Sequence, residues 1–357
     1  MKKILPAIMM FALVSCSKNL TGDNELNASA TSRGNSMNAE SAQTLHHNTK
    51  FGCLLNGDFT PDERASVAKS LNVKYVRDAI VMDKWKGKSN NYDAYTDAGI
   101  KVVLNINYKQ PGGSPQAFPK DMNSYRKKFN DITNTYQPPV VAVENEEINV
   151  NYHKGPMSDY ISMLKVALDV CHSKGIKVTN GGIYGGQLDI LTYRYLQTKG
   201  QKRADSFANN CMENFQIKAA QNPGSNPDLE FKVRQLDTLL NFYDNLDYVN
   251  IHVYEPFDPY VTNTQKVNTS TPVVIPDIQE YLKVRTGRPV ITNETGQRDN
   301  TNPDLVTSML QLYDHLNFPY VIWFSGEGGR GAQPLYDLGT GKLYPNGIAF
   351  ATFMAAY

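Results

Sequence analysis

The chain has 357 residues, 36 of them basic and 35 acidic, for a formal net charge of +1. That balance excludes the broad electrostatic footprint needed for nucleic acid or an anionic membrane surface, so neutral partners are expected. Length alone allows two average domains or one large barrel.

Lys2 and Lys3 precede an apolar run from Ile4 to Val14 that is too short to span a bilayer and reads as a targeting segment. Leu13-Val14-Ser15-Cys16 resembles a bacterial lipoprotein box, which implies cleavage before Cys16 and lipid on that cysteine. The expected layout is a signal peptide at 1–15, a tether at 16–48 and a single domain at 49–357. An ordinary secretory signal ending near Ser15 is the competing reading. Residues 17–48 are rich in Asn, Ser, Thr and Ala without periodicity, as in a tether that buries no core. The location this implies is extracytoplasmic, on a bacterial outer membrane or cell surface, with lipid as the sole membrane contact. The remaining cysteines, Cys53, Cys171 and Cys211, have no metal-site spacing and leave either buried thiols or one bridge open.

From residue 50 onward, strand-like and helix-like segments alternate, the pattern of an α/β fold with a parallel sheet. Eight strands are predicted: Phe51 to Leu55, Lys74 to Ile80, Lys101 to Tyr108, Val140 to Glu147, Lys177 to Ile183, Asp247 to Tyr254, Pro289 to Gly296 and Tyr320 to Gly326. The helices between them carry recognisable starts and stops. Thr60-Pro61-Asp62-Glu63 gives a cap, a first-turn proline and early acids; Gly175 ends a helix with Ile161, Leu164, Leu168 and Cys171 on one face. Asn302-Pro303-Asp304 opens another, and Asn346 to Ala356 closes the chain. Eight such units predict a (β/α)8 TIM barrel, expected to be a monomer. The long link over 184–246 predicts a helical excursion, and the links after Tyr108 and Glu255 supply aromatic residues for the functional face.

In this architecture chemistry gathers at the carboxyl ends of the strands. There the fourth segment runs from Val140-Val141-Ala142-Val143 straight into Glu144-Asn145-Glu146-Glu147, and the seventh ends Asn293-Glu294-Thr295-Gly296. Arg77, His252, Tyr254 and Trp323 end the second, sixth and eighth segments. Two glutamates on opposed strands suit cleavage of a glycosidic bond, where one carboxyl protonates the leaving oxygen and the other attacks the anomeric carbon or activates water. Strand alternation puts Glu144 and Glu146 on one face; Glu146 is chosen because it follows Asn145 and lies nearer the mouth.

This set resembles clan A of the glycoside hydrolases. The resemblance implies Glu146 as acid/base beside Asn145, Glu294 as nucleophile, and Arg77, His252, Tyr254 and Trp323 around the sugar, with Trp323 as its floor. Glu147 stands where many cellulase-like members have proline and Thr295 where many have an aromatic, so the family within the clan and the sugar stay open. No cofactor is implied, and the six histidines lack the spacing of a metal-dependent barrel hydrolase. The activity expected is retaining, endo-acting hydrolysis of a neutral β-linked polysaccharide or oligosaccharide. The rival is a lipid-anchored glycan-binding protein that keeps the groove without turnover; a phosphate-binding barrel would use Gly328-Gly329, but Glu327 beside them would repel phosphate.

Overall fold

The computed structural model describes residues 48–110, 114–255, 271–298, 301–327 and 332–357. Cys16, the segments at 1–15 and 16–47, and the aromatic loop with Phe257 and Tyr260 lie outside the described residues, as do Gly112, Gly113, Gly328 and Gly329. No helix among the described residues is long and apolar enough to cross a membrane.

Eight parallel strands form the barrel: β1 (Lys50–Leu55), β2 (Tyr75–Val81), β3 (Lys101–Asn107), β4 (Val140–Val143), β5 (Lys177–Asn180), β6 (Val249–Glu255), β7 (Val290–Gln297) and β8 (Tyr320–Ser325). Each pairs with its neighbours in sequence, and β8 pairs with β1 from Lys50↔Tyr320 to Leu55↔Ser325. Parallel bridges Thr179↔Tyr248 and Ile183↔Ile251 join β5 to β6 and complete the ring. The single barrel expected from eight strand-and-helix units is the fold observed.

Local chemistry explains the helices that wrap it. Thr60 caps the helix Pro61–Ser70 in a reciprocal capping box with Glu63, and Asn302 caps the helix Pro303–His315. Gly175, at φ +71°, turns the chain out of the helix Met157–His172 where a side chain would be strained. The excursion at 184–246 holds four helices, Gly186–Lys199, Gln201–Cys211, Asn214–Gln221 and Pro227–Phe242, which pack among themselves and on the helical layer. Cys53, Cys171 and Cys211 are buried thiols, and no disulfide joins them.

The barrel interior changes character along its axis. At the amino end Val103, Val140, Ile291, Tyr320 and Ile322 fill it with apolar side chains. Higher up, Asn105, Asn180, Asn250 and Asn293, all fully buried, replace them. Buried amides must find partners, and these find one another. Asn293 donates from Nδ2 to Asn105 Oδ1 at 3.0 Å; Asn250 donates from Nδ2 to Asn293 Oδ1 at 2.8 Å; and the Asn250 amide N–H donates to Asn180 Oδ1 at 2.7 Å. This hydrogen-bonded layer ties β3, β5, β6 and β7 together directly beneath the mouth.

Candidate active site

The end of β4 departs from regular strand in a way that sorts its acids. The strand stops at Val143, and Glu144 and Glu146 both take left-handed backbone conformations, φ +65° and +50°. Such angles are uncommon for residues other than glycine and gather at functional sites. They cancel the alternation that would have put Glu144 and Glu146 on one face. Glu144 turns away from the cleft, where its Oε1 accepts from the Tyr108 amide at 2.7 Å. Glu147 is buried and accepts from Tyr243 Oη and, at 3.0 Å, from Asn180 Nδ2. Glu146 alone of the three enters the cleft, its Oε2 accepting from Asn149 Nδ2 at 2.7 Å.

Across the mouth, β7 carries one extra residue relative to both neighbours. Three positions of β6, Asn250 to His252, face four of β7, Ile291 to Glu294; the same surplus appears against β8. This bulge turns two successive side chains inward. Asn293 enters the amide layer, and Glu294 reaches the cleft. There Arg77 Nη1 and Tyr254 Oη each hold one of the Glu294 carboxylate oxygens. Arg77 is itself oriented by Asn105 Oδ1, 3.0 Å from its Nε, and by Asn145 Oδ1. Its guanidinium therefore spans the nucleophile candidate and the residue before the acid candidate.

His252 joins the two carboxylates. Its Nδ1 lies 3.0 Å from Glu146 Oε1 and 3.9 Å from Glu294 Oε2, and its Nε2 lies 2.8 Å from Asn293 Oδ1. That amide oxygen is an acceptor, already receiving Asn250, so Nε2 carries a proton and donates. The Nδ1···Glu146 hydrogen bond then holds one proton, supplied either by a protonated Glu146 or by an imidazolium. Gly182 makes room for the ring: a Cβ there would lie 2.2 Å from Nε2.

The two carboxyl groups sit in unlike surroundings. Burial would push Glu294 up, but His252, Arg77 and the Tyr254 hydroxyl outweigh it and hold the carboxyl well below the usual range. Burial and the adjacent Glu294 charge keep the Tyr254 hydroxyl protonated and therefore a donor. Glu146 has no guanidinium of its own; its partners are an imidazole and an amide. One atom each from Glu146, His252 and Glu294 lie within 4.8 Å of one another, a spacing that in isolation could hold a metal ion. The set does not fit one, because Arg77 and Tyr254 already occupy the oxygens of Glu294 and a cation would have to displace a guanidinium.

No protein-family model matches the chain, and no curated protein matches it in sequence. Solved structures do match in three dimensions. An endocellulase from Pyrococcus horikoshii, in a complex with cellotetraose, is 12% identical, covering 86% of this chain and 91% of its own, with a TM-score of 0.50. A broad-specificity endoglucanase from Clostridium longisporum is 11% identical over 84% and 87%, with a TM-score of 0.50. A hyperthermophilic β-glucosidase is 11% identical over 85% and 99%, with a TM-score of 0.51. What is shared is the barrel fold.

Arg77, Asn145, Glu146, Tyr254 and Glu294 all line one cleft of about 700 Å3, with His252 in hydrogen-bonding contact just beneath. Trp323 does not join them. It is fully buried on the outer face of β8, its ring centroid 6.1 Å from that of Phe350 in the last helix (Pro345–Ala356), so it cannot be the floor of a sugar site. The reason is parity: Ile322 points into the barrel, Trp323 away from it, and Phe324 back toward the cleft beside Tyr254. The cleft also gathers residues that no sequence pattern had singled out, Asn149, Tyr152, Tyr184 and Arg298 among them. Arg298 lies four residues beyond Glu294 without a motif of its own. The interior asparagines did carry a signal, since asparagine is a poor strand former and recurs here in β3, β5, β6 and β7.

Proposed function

We propose that the chain is a retaining glycoside hydrolase that cleaves β-linked glycans through Glu294 and Glu146. The observation that carries this reading is their separation: a carboxylate oxygen of each lies within 4.8 Å of the other. That is the short spacing of retaining enzymes, about 5 to 5.5 Å between carboxyl groups, and not the roughly 6.5 to 9.5 Å that leaves space for an attacking water. In the first step the ionised Glu294 attacks the anomeric carbon while Glu146 passes its proton to the departing glycosidic oxygen. The second step reverses these roles: Glu146 takes a proton from water as that water displaces Glu294. Arg77 and Tyr254 favour the charge that attack requires, and the single proton shared with His252 Nδ1 equips Glu146 to give and receive one. The endocellulase and endoglucanase among the similar structures support this class of chemistry at the level of fold. Endo action is supported by the excursion at 184–246, whose helices pack on the helical layer instead of crossing the mouth.

The test is chemical rescue. On an activated aryl β-glycoside, Glu146→Ala should retain turnover and form the β-glycosyl azide when azide is added, because the leaving group needs no proton. Glu294→Ala should be inactive or yield the α-azide. Hydrolysis of no substrate by the wild type, with saturable glycan binding, would instead favour a binding protein on this barrel. If Glu144→Ala behaved as the acid/base variant, the assignment on β4 would be wrong. Product profiles on intact polysaccharide test the endo assignment, which release of monosaccharide alone would overturn. We also propose attachment to an extracytoplasmic bacterial membrane through lipid on Cys16, motivated by the Leu13-Val14-Ser15-Cys16 box. Cys16→Ser should release the protein from the membrane fraction; unchanged detergent-dependent association would refute it.

A further inference from the structure

Three guanidinium groups line the cleft, and two of them donate to carboxylate, amide or backbone carbonyl oxygens. Arg77 is spread over Glu294, Asn145 and Asn105. Arg64 donates to the backbone carbonyls of Leu55 and Gly57. Arg298 differs. It is half-buried, its guanidinium carbon lies 3.9 Å from the centre of the Tyr254 ring and 5.8 Å from that of Tyr184, its side-chain hydrogen bonds go to those two phenols, and its Nε is buried without a hydrogen-bond partner. Among the described residues no carboxylate lies within ion-pair distance of it. Glu255, whose backbone carbonyl accepts the Arg298 N–H at 2.7 Å, acts instead on Tyr313 on the helical side of the sheet. Glu294 is held by Arg77 and by Tyr254.

A guanidinium stays charged at any working pH and offers a planar fork of donors matched to a carboxylate or a sulfate. A half-buried guanidinium that meets no carboxylate among the described residues is costly to keep unless a ligand supplies the counterion. The ring of Tyr254 fixes where it would be supplied: its hydroxyl touches the nucleophile candidate and its face carries Arg298, so the cationic group stands one phenol ring from the reacting centre. We propose that Arg298 is an anion-recognition site of the cleft and that the glycan it takes carries an acidic group, a uronate carboxylate or a sulfate ester, on a sugar next to the scissile bond. This rests on the hydrolase reading and narrows its substrate. It departs from the neutral glycan expected of a chain of net charge +1, because net charge averages over a surface and says nothing of one cationic group in a cleft.

The test compares β-linked oligosaccharides containing glucuronic acid, the same material after carboxyl reduction, and a sulfated counterpart, using the full-length protein. The wild type should favour one acidic form in kcat/KM over the reduced form. Arg298→Met, which keeps an apolar stem over Tyr254 but removes the charge, should lower the acidic-to-neutral ratio about 10- to 100-fold, the worth of charge-assisted hydrogen bonds. Arg298→Lys should lower it less and leave a salt-dependent remainder. Whether the carboxylate or the sulfate loses more identifies the natural group. Calorimetric binding of the acidic oligosaccharides to Glu294→Gln, with and without Arg298→Met, reads recognition without turnover. Arg298-dependent binding with no hydrolysis of any substrate would sustain this site and sink the hydrolase reading. Hydrolysis of the reduced form with an equal loss for both forms in Arg298→Met would do the opposite, reducing Arg298 to a brace for Tyr254. Failure of the acidic forms to bind or turn over at all would also overturn the proposal.

Discussion

Gly182→Ala is a one-carbon change that should act on catalysis through His252. At φ +124° the backbone of Gly182 lies where alanine is strained, and an added Cβ would stand 2.2, 2.4 and 2.6 Å from Nε2, Cδ2 and Cε1 of the imidazole. Ordinary contact begins at 3.4 Å, so the ring must retreat by 3.4 less 2.2, or 1.2 Å, along that direction. A shift of that size cannot preserve both the 2.8 Å hydrogen bond to Asn293 and the 3.0 Å hydrogen bond to Glu146. Losing them, with the backbone strain, should cost on the order of 2 to 5 kcal/mol in stability. Misplacement of a group that shares a proton with Glu146, the proposed acid/base, by about 1 Å should lower kcat/KM about 100-fold. The assay is kcat/KM on aryl glycosides with good and poor leaving groups, and the larger loss is expected with the poor one. The control is the double-mutant cycle with His252→Ala: once the ring is gone the three tightest contacts of the Cβ go with it, so Gly182→Ala should add little to the activity loss of His252→Ala. Additive losses, or a Gly182→Ala enzyme within threefold of wild type, would refute the steric chain from glycine to imidazole to Glu146.

Three further outcomes are expected. Tyr254→Phe removes a hydrogen bond that favours the charged form of Glu294, so the acid limb of kcat/KM should move to higher pH; an unmoved limb would count against Glu294 as the ionised group. Burial, with Glu147 nearby and the Tyr108 amide opposing, raises Glu144 from 4.5 to about 8, and burial raises Glu327 to about 7 against its Ser325 hydrogen bond. The unfolded chain therefore binds fewer protons than the native one between those values. Stability is fully present below pH 4.5 and is lost as pH rises to about 8, by at most on the order of 5 kcal/mol for Glu144. Denaturation midpoints should fall over that window and fall less in Glu144→Gln, and parallel slopes for the two proteins would contradict the assignment. Trp323→Ala should cost about 3 to 5 kcal/mol of stability by opening a cavity against Phe350 with KM little changed, whereas Phe324→Ala should raise KM; the reverse pattern would restore the tryptophan to the sugar site.

How far the sequence could be read depended on whether its rules were obeyed locally. The barrel was legible because eight apolar segments alternated with capped helices, and each of the eight strands lies within a residue or a few of its predicted bounds. Alternation was the rule used to assign faces, and at the mouth it succeeds or fails residue by residue. It holds along β8, where Ile322 points inward and Trp323 outward; its place at the strand end and the resemblance both favour the tryptophan as a site residue, against that parity. It fails at β4 and β7, where left-handed φ values at Glu144 and Glu146 and one extra residue before Glu294 each break the period of two. No composition or spacing announces such breaks, because a non-glycine residue takes a positive φ only when the surrounding fold over-determines it.

The same breaks give the site its asymmetry. With a regular β4, Glu144 would share the cleft with Glu146, and like charges at that distance would contend for protons. As folded, Glu144 and Glu147 are withdrawn to buried partners on either side, one at Tyr108 and one at Tyr243 and Asn180. Glu146 is left to face a single carboxylate, Glu294, which Arg77 and Tyr254 keep charged. Two carboxyl groups in different surroundings thus arise from four acids by backbone geometry, and the amide layer of Asn105, Asn180, Asn250 and Asn293 holds that geometry from below. If this is the origin of the asymmetry, substitutions in the layer should disturb proton transfer before they disturb glycan binding. Asn293→Ala, which frees Nε2 of His252 and so the tautomer that faces Glu146, is the substitution in which that order of loss would be clearest.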